Sequence, residues 1–205
     1  MVENDEQNKF MLVNVAWNHS KWAQLEPNPK ANFEYTKSAF APHESLNFEF
    51  LKEGIDDNET VYGYFQVVGV GLSGVPRKFA KGGLIIFWSS NTDDRKGYFI
   101  GVYGNAGIID PIMKKEYHGF KEGKFWANIQ GEKRLSCLFP CPVEDSSYRD
   151  NGNRLIFRSN LSYDFDKFKA LRLLKEAKES RCNGHSDSAS VAVLTAIEEY
   201  VKDKL

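Results

Sequence analysis

Residues 83–103 read GLIIFWSSNTDDRKGYFIGVY. Two short runs rich in β-branched and aromatic residues, 83–89 and 97–103, flank the turn-rich segment SNTDDRK, a pattern that predicts an antiparallel hairpin. Hydrophobic runs this short and this β-branched make strands rather than helices. Working outward, further strands are expected at 10–17 (FMLVNVAW), ending at Trp17, and at 61–70 (VYGYFQVVGV). Later ones fall at 124–130, 134–139 and 154–158. Punctuation by PNPKAN and APHE makes 27–41 a loop, Pro42 is placed to open a short helix over 43–51, and GIDDNET at 54–60 is a polar turn. The last forty or so residues change character. Asp164 can cap a helix to about Arg181, CNGHSDS breaks it, and Ser188 can cap a second helix through Lys204. The expected fold is α+β, a curved mixed β-sheet or barrel over residues 1–162 followed by a helical extension or linker over 163–205.

A chain of 205 residues, 41% hydrophobic and 27% charged, is long enough for one substantial core. No apolar run approaches the ~18–20 residues a membrane helix requires. The opening MVENDEQNKF has neither a basic nor an apolar leader region, so a cytoplasmic protein is expected and the sequons at Asn18, Asn58 and Asn160 read as incidental. A net charge of −1 excludes a protein that coats polyanions by bulk attraction, because that mode draws on many Lys and Arg contacts at once. Any polyanion contact must be a local patch. Aromatics make up 14% of the chain, which serves a β core and a stacking surface equally well.

Several formal motifs fail on context. Gly69, Gly71 and Gly74 match G-x-G-x-x-G after a strand, yet Pro76 and RKFAKGG cannot open the helix on which a dinucleotide pyrophosphate rests. No P-loop is present. Cys137 and Cys141, with Cys182 and His185, have ligand-like spacings, but the pairs lie forty residues apart and read as reduced structural thiols. Neither a metal nor a cofactor is expected. His19, His43 and His118 sit near Ser20, Glu44 and Glu116 without a nucleophile elbow or metal-binding frame around them.

One constellation stands out, and it is aromatic and amide-rich. Trp17, Asn18 and Trp22 follow the first strand, Phe40 lies in the loop beyond, and Trp88, Ser89 and Asn91 end a central strand. Strand ends and the loops after them are where rigid folds carry binding groups. Each tryptophan alone is an ordinary core residue. Together they have the parts to hold a planar heterocycle, with ring faces to stack on and amides to meet its edge.

Trp17-Asn18-His19, Leu46-Asn47-Phe48 and Gly97-Tyr98-Phe99-Ile100-Gly101-Val102 also carry a resemblance. Over about residues 10–130 the chain is similar to the YTH/EVE/PUA-like superfamily. Within it, the chain most resembles the N-terminal modified-DNA-recognition domains of archaeal McrB-type restriction enzymes. The Gly-Val-Trp-Ser segment that supplies one cage tryptophan in YTH proteins is absent, and Ser38-Ala39-Phe40 is its nearest counterpart. The resemblance implies a reader rather than an enzyme. It would flip a methylated base, N6-methyladenine above all, from double-stranded DNA into an aromatic cage, with Asn18 on the base edge. It also implies a GTPase motor in the same native chain and a nuclease subunit as partners, and no membrane.

The expected base-binding set is Trp17, Asn18, Trp22, Phe40, Trp88, Ser89 and Asn91. Lys21, Arg77, Lys78, Lys81, Arg95 and Lys96, on turns beside that pocket, are the candidate DNA-backbone contacts, though each serves equally as solubilising loop charge. Two alternatives stay open. One is an RNA-binding reader of the same fold; the other is a small-molecule hydrolase using His43 and Glu44.

Overall fold

Strand β1 (Asn8–Asn14) is buried on both faces, and its side chains alternate between two separate cores. Phe10 and Leu12 enter one, Met11 and Val13 the other. Strand β3 (Phe79–Ser90) repeats the division, with Leu84, Ile86 and Trp88 on one side and Ile85 and Phe87 on the other. This is the two-residue period of a pleated sheet covered on both sides. The structure is a computed structural model that describes residues 8–18, 47–48, 59–66, 76, 78–116, 124–149, 155–156, 161–180 and 188–205.

The remaining strands are β2 (Thr60–Gly63), β4 (Gly97–Glu116), β5 (Lys124–Glu132), β6 (Ser136–Glu144) and β7 (Leu161–Ser162). They form one mixed seven-stranded sheet in the order β2-β5-β4-β3-β1-β7, with β6 also paired to β4. β1 runs parallel to β3, whereas the other pairings are antiparallel. β4 serves two regions. Its first half pairs with β3 and β6, and its second half, from Gly107, pairs with β5. A single 3-10 turn, Lys133–Leu135, carries the chain from β5 into β6 along the same edge of β4. The sheet curves but does not close: among the described residues β2 and β7 are its ends and do not pair with each other. A curved sheet was expected, and the barrel alternative is thereby set aside.

Curvature encloses the inner core. Phe87 packs edge-on against Tyr103 at 4.7 Å and Phe48 against Phe87 at 5.1 Å, an arrangement that brings positive ring edges to negative faces. Two buried amides extend the ladders where β2 has ended. Asn47 accepts from the Tyr64 N–H at 2.7 Å and donates to its carbonyl at 2.8 Å, and Asn128 does the same for Phe65 at 3.1 and 2.8 Å. Of the short helix expected over 43–51, only Asn47 and Phe48 are described, and they form a turn.

The outer core lies under two helices, α1 (Lys167–Glu179) and α2 (Ser188–Lys204). Ala170, Leu173, Leu174 and Ala177 recur at helical spacing on α1, and Leu194, Ile197 and Val201 on α2. They bury Leu12, Leu84, Ile86, Phe99 and Val102 of the sheet. Each such side chain contributes ~1.5–3 kcal/mol by leaving water. Asp166, rather than the expected Asp164, caps α1 by accepting from the Lys169 N–H at 2.7 Å. Lys178 and Lys202 clamp Glu198 between the helices. The expected helical extension is therefore built into the same core as the sheet, and that core runs across the 162/163 boundary.

Strand expectations at 83–89, 97–103 and 124–130 fall on β3, β4 and β5. The first strand ends earlier, at Asn14, and β2 stops at Gly63. In the expected strand at 154–158, Leu155 and Ile156 form a bend, and the rest lies outside the described residues.

Candidate functional site

β1 and β3 end side by side. The Val15 N–H donates to the Trp88 carbonyl at 2.9 Å, and the Ser89 hydroxyl donates to the Val15 carbonyl at 2.8 Å. This pair of bonds fixes where the chain leaves the sheet and so places Ala16, Trp17 and Asn18. Trp17 is half-buried and lies against the ring of Tyr98, with centroids 5.5 Å apart and planes tilted by 45°. Tyr98 is the cross-strand partner of Ser89, so the two face the same side of the sheet. Asn18 is buried beside this exit, 4% exposed.

The β3–β4 turn holds Tyr98 in place. Its hydroxyl donates to Asp94 Oδ2 at 2.7 Å, and Asp94 Oδ1 accepts from the Lys96 N–H at 2.8 Å. Burial, reinforced by the neighbouring carboxylate, pushes the Tyr98 phenol up to about 12. In return the Tyr98 hydroxyl, followed by the Lys96 amide, holds Asp94 below the usual carboxylate range. Lys96 Nζ reaches across to Glu144 Oε2 at 2.8 Å, which raises the lysine and lowers the glutamate.

Of the expected base-binding residues, Trp17, Asn18 and Ser89 come together here. Trp88 does not. Its side chain points to the opposite face of the sheet, is 6% exposed in the outer core, and donates its indole N–H to Asp145 Oδ2 at 2.8 Å. Asp145 is wholly buried, and Arg149 Nη2 neutralises it at 2.6 Å. Successive residues of a strand alternate sides, so Trp88 and Ser89 cannot both line one pocket. Gly97 permits this packing: a Cβ there would lie 2.6 Å from the Trp88 ring. Asn91 spends its side-chain oxygen on the turn, accepting from the Asp93 N–H at 2.9 Å. Trp22 and Phe40 lie outside the described residues.

The expected backbone contacts are divided. Lys78 and Lys81 are exposed at the start of β3 and Arg95 and Lys96 on the turn after it, so most of β3 separates them. At ~3.3 Å per residue, Lys81 and Ser89 are roughly 25 Å apart. Lys78 and Lys81 are thus not beside the Trp17 site, a correction that follows from β3 beginning four residues earlier than its apolar run. Arg95 adopts a left-handed backbone, φ 61°, at the tip of the turn, and the Lys96 charge is paired with Glu144. Lys21 and Arg77 lie outside the described residues, as do His19, His43 and Glu44 of the hydrolase alternative.

No group of three metal-ligating side chains occurs among the described residues. Cys137 is a buried, reduced thiol, whereas Cys141 is disulfide-bonded, which corrects the expectation of reduced thiols throughout. Among the described residues no helix is long and apolar enough to cross a membrane. Tyr98, which lies against Trp17, is not among the expected base-binding residues. Counting across the hairpin from Ser89 would have found it. Comparison with protein-family models, curated proteins and solved structures returns no match.

Proposed function

We propose that this chain is a PUA-like reader of a modified base in double-stranded DNA, N6-methyladenine above all, acting as the recognition module of a restriction system that also comprises a GTPase motor and a nuclease. It binds and does not catalyse. The observation that carries this reading is the convergence of Trp17, Asn18 and Ser89 at one end of the β1–β3 pair, an aromatic ring beside a buried amide and a hydroxyl. An N-methyl group gains dispersion and desolvation against a ring face, while an unmethylated amine there forfeits a water partner. Flipping the base costs a few kcal/mol, which stacking and phosphate contacts offset. Arg95, exposed on the turn next to Tyr98, is the cation best placed for such a phosphate contact.

The test compares a duplex carrying one N6-methyladenine with the same duplex unmodified, by gel shift or anisotropy. The methylated duplex is expected to bind at least about tenfold more tightly, or ~1.4 kcal/mol. Equal affinities refute the reading, a preference for 5-methylcytosine replaces the ligand, and tighter binding of the methylated RNA strand replaces DNA.

A further inference from the structure

We propose that Tyr98 is a ligand-contacting residue, the second aromatic wall of the Trp17 site, and that Asp94 is the positioning residue that sets its ring. This rests on the reading of the site as a pocket for a flipped methylated base. Four observations support it. Tyr98 neighbours Trp17, with ring centroids 5.5 Å apart, and both rings are half-buried, packed on the rim of the inner core rather than inside it. The 45° tilt makes the pair a corner, so a planar base stacked on one ring brings its edge substituent against the other. Ser89 lies directly across the strand pair from Tyr98 and, wholly buried with its hydroxyl donated to the Val15 carbonyl, fixes the floor beneath the two rings. The fourth is the tether: Tyr98 donates to Asp94 at 2.7 Å, and Asp94 is itself anchored by the Lys96 amide.

That tether matters because a tyrosine free to change rotamer would spend part of the stacking energy on ordering itself when the base arrives. Pinned to the turn, its ring is already in place. The position also calls for tyrosine rather than phenylalanine, since the para hydroxyl is the only group of the ring that can reach the turn carboxylate. Trp88, the alternative wall, is committed to the far core and to Asp145. A corner made by Trp17 and Tyr98 on the inner side thus replaces the arrangement in which Trp88 closed the site.

The experiment measures binding of the methylated and unmodified duplexes to the wild-type chain and to Tyr98→Leu, Tyr98→Phe, Asp94→Ala and Asp94→Asn, with melting temperatures for all. Tyr98→Leu keeps apolar bulk but lacks an aromatic face. It is expected to lose about ten- to a hundredfold in affinity for the methylated duplex while binding of the unmodified duplex stays within about twofold. Tyr98→Phe and Asp94→Ala should each lose a smaller, similar factor, and the double variant no more than either alone, because both remove the same tether. Asp94→Asn keeps its oxygen for the Lys96 N–H and can donate its amide to the Tyr98 hydroxyl, which then accepts, so it should retain more binding than Asp94→Ala. If the wild type discriminates and Tyr98→Leu discriminates equally well, Tyr98 is not a wall and only this inference falls. If the wild type does not discriminate, the reader assignment and the inference fall together. If Tyr98→Leu melts far below the wild type, the folded Tyr98→Phe and Asp94→Ala variants decide: discrimination unchanged in both overturns the proposal.

Discussion

Replacing Trp88 with Phe separates a core tryptophan from a binding one. The indole N–H donates to Asp145 Oδ2 at 2.8 Å inside the outer core, where Asp145 has no exposed surface and Trp88 has 6%. Arg149 is engaged with the other carboxylate oxygen at 2.6 Å, so removing the indole takes away the donor on Oδ2. A hydrogen bond to a charged buried partner contributes about 1.5–3 kcal/mol, and the smaller ring leaves a partial void, so Trp88→Phe should cost about 2–3 kcal/mol. For a chain of this length that corresponds to a melting temperature lower by about 4–12 °C. Trp88→Ala should cost about 3–5 kcal/mol. Urea and thermal denaturation followed by circular dichroism supply the measurement. A cycle with Asp145→Asn should show that the two substitutions together cost less than their sum. A Trp88→Phe variant within about 0.5 kcal/mol of wild type would refute this account, as would a Trp88→Ala variant that melts normally but no longer binds methylated DNA.

A chain ending at Ser162 loses both helices and uncovers Leu84, Ile86, Trp88, Phe99 and Val102, so it should fail to fold and be degraded rapidly by protease; a soluble, cooperatively melting fragment would show that the sheet stands alone. Alkaline pH should destabilise the protein from the phenolic range upward. Burial raises Tyr98 to about 12 and pushes Tyr103 and Tyr148 higher still, each from 10.0. The folded state therefore keeps protons that the unfolded state releases, and the stability is complete below about pH 10 and falls as pH rises through about 12. Urea midpoints equal at about pH 8 and about pH 11 would contradict these burials.

The hairpin of β3 and β4 was readable because its two runs and the polar turn between them report the same local geometry. The second half of β4 was not. Gly104, Asn105 and Gly107 resemble a turn, and Asn105 does adopt a left-handed φ of 46°, yet pairing with β5 carries the strand on to Glu116. Long-range ladder bonds outweighed the local signal there, as strand propensity commonly yields to context. Pro140 and Pro142 concealed the second half of β6 in the same way. Both prolines fall in the irregularity between the Gly101–Leu138 and Phe99–Val143 pairs, a place in a ladder where a missing N–H is tolerated. Helix α1 was legible through its apolar spacing, but its cap is a different aspartate. Asp164 turns instead to the Ser162 hydroxyl at 2.9 Å, leaving Asp166 to receive the Lys169 N–H.

The candidate site shows a different limit. A strand with one wet face announces which residues point where, because polar and apolar side chains alternate. β3 is apolar on both faces through Ile85, Ile86, Phe87 and Trp88, so the run alone does not say whether Trp88 or Ser89 belongs with Trp17. A register slip of one residue would exchange them. Two bonds resolve the parity. Ser89 donates to Val15 on the inner side, and Trp88 donates to Asp145 on the outer, fifty-seven residues away. Asp145 reaches Trp88 only because β6 has been brought alongside β4, with Glu144 opposite Tyr98. The same register that takes Trp88 out of the site places Tyr98 across from Ser89. Loss of one aromatic wall and gain of another are therefore a single geometric event, and of these two aromatics Tyr98, not Trp88, should couple in binding with Trp17→Ala in a double cycle, while Trp88 should couple in stability with Asp145.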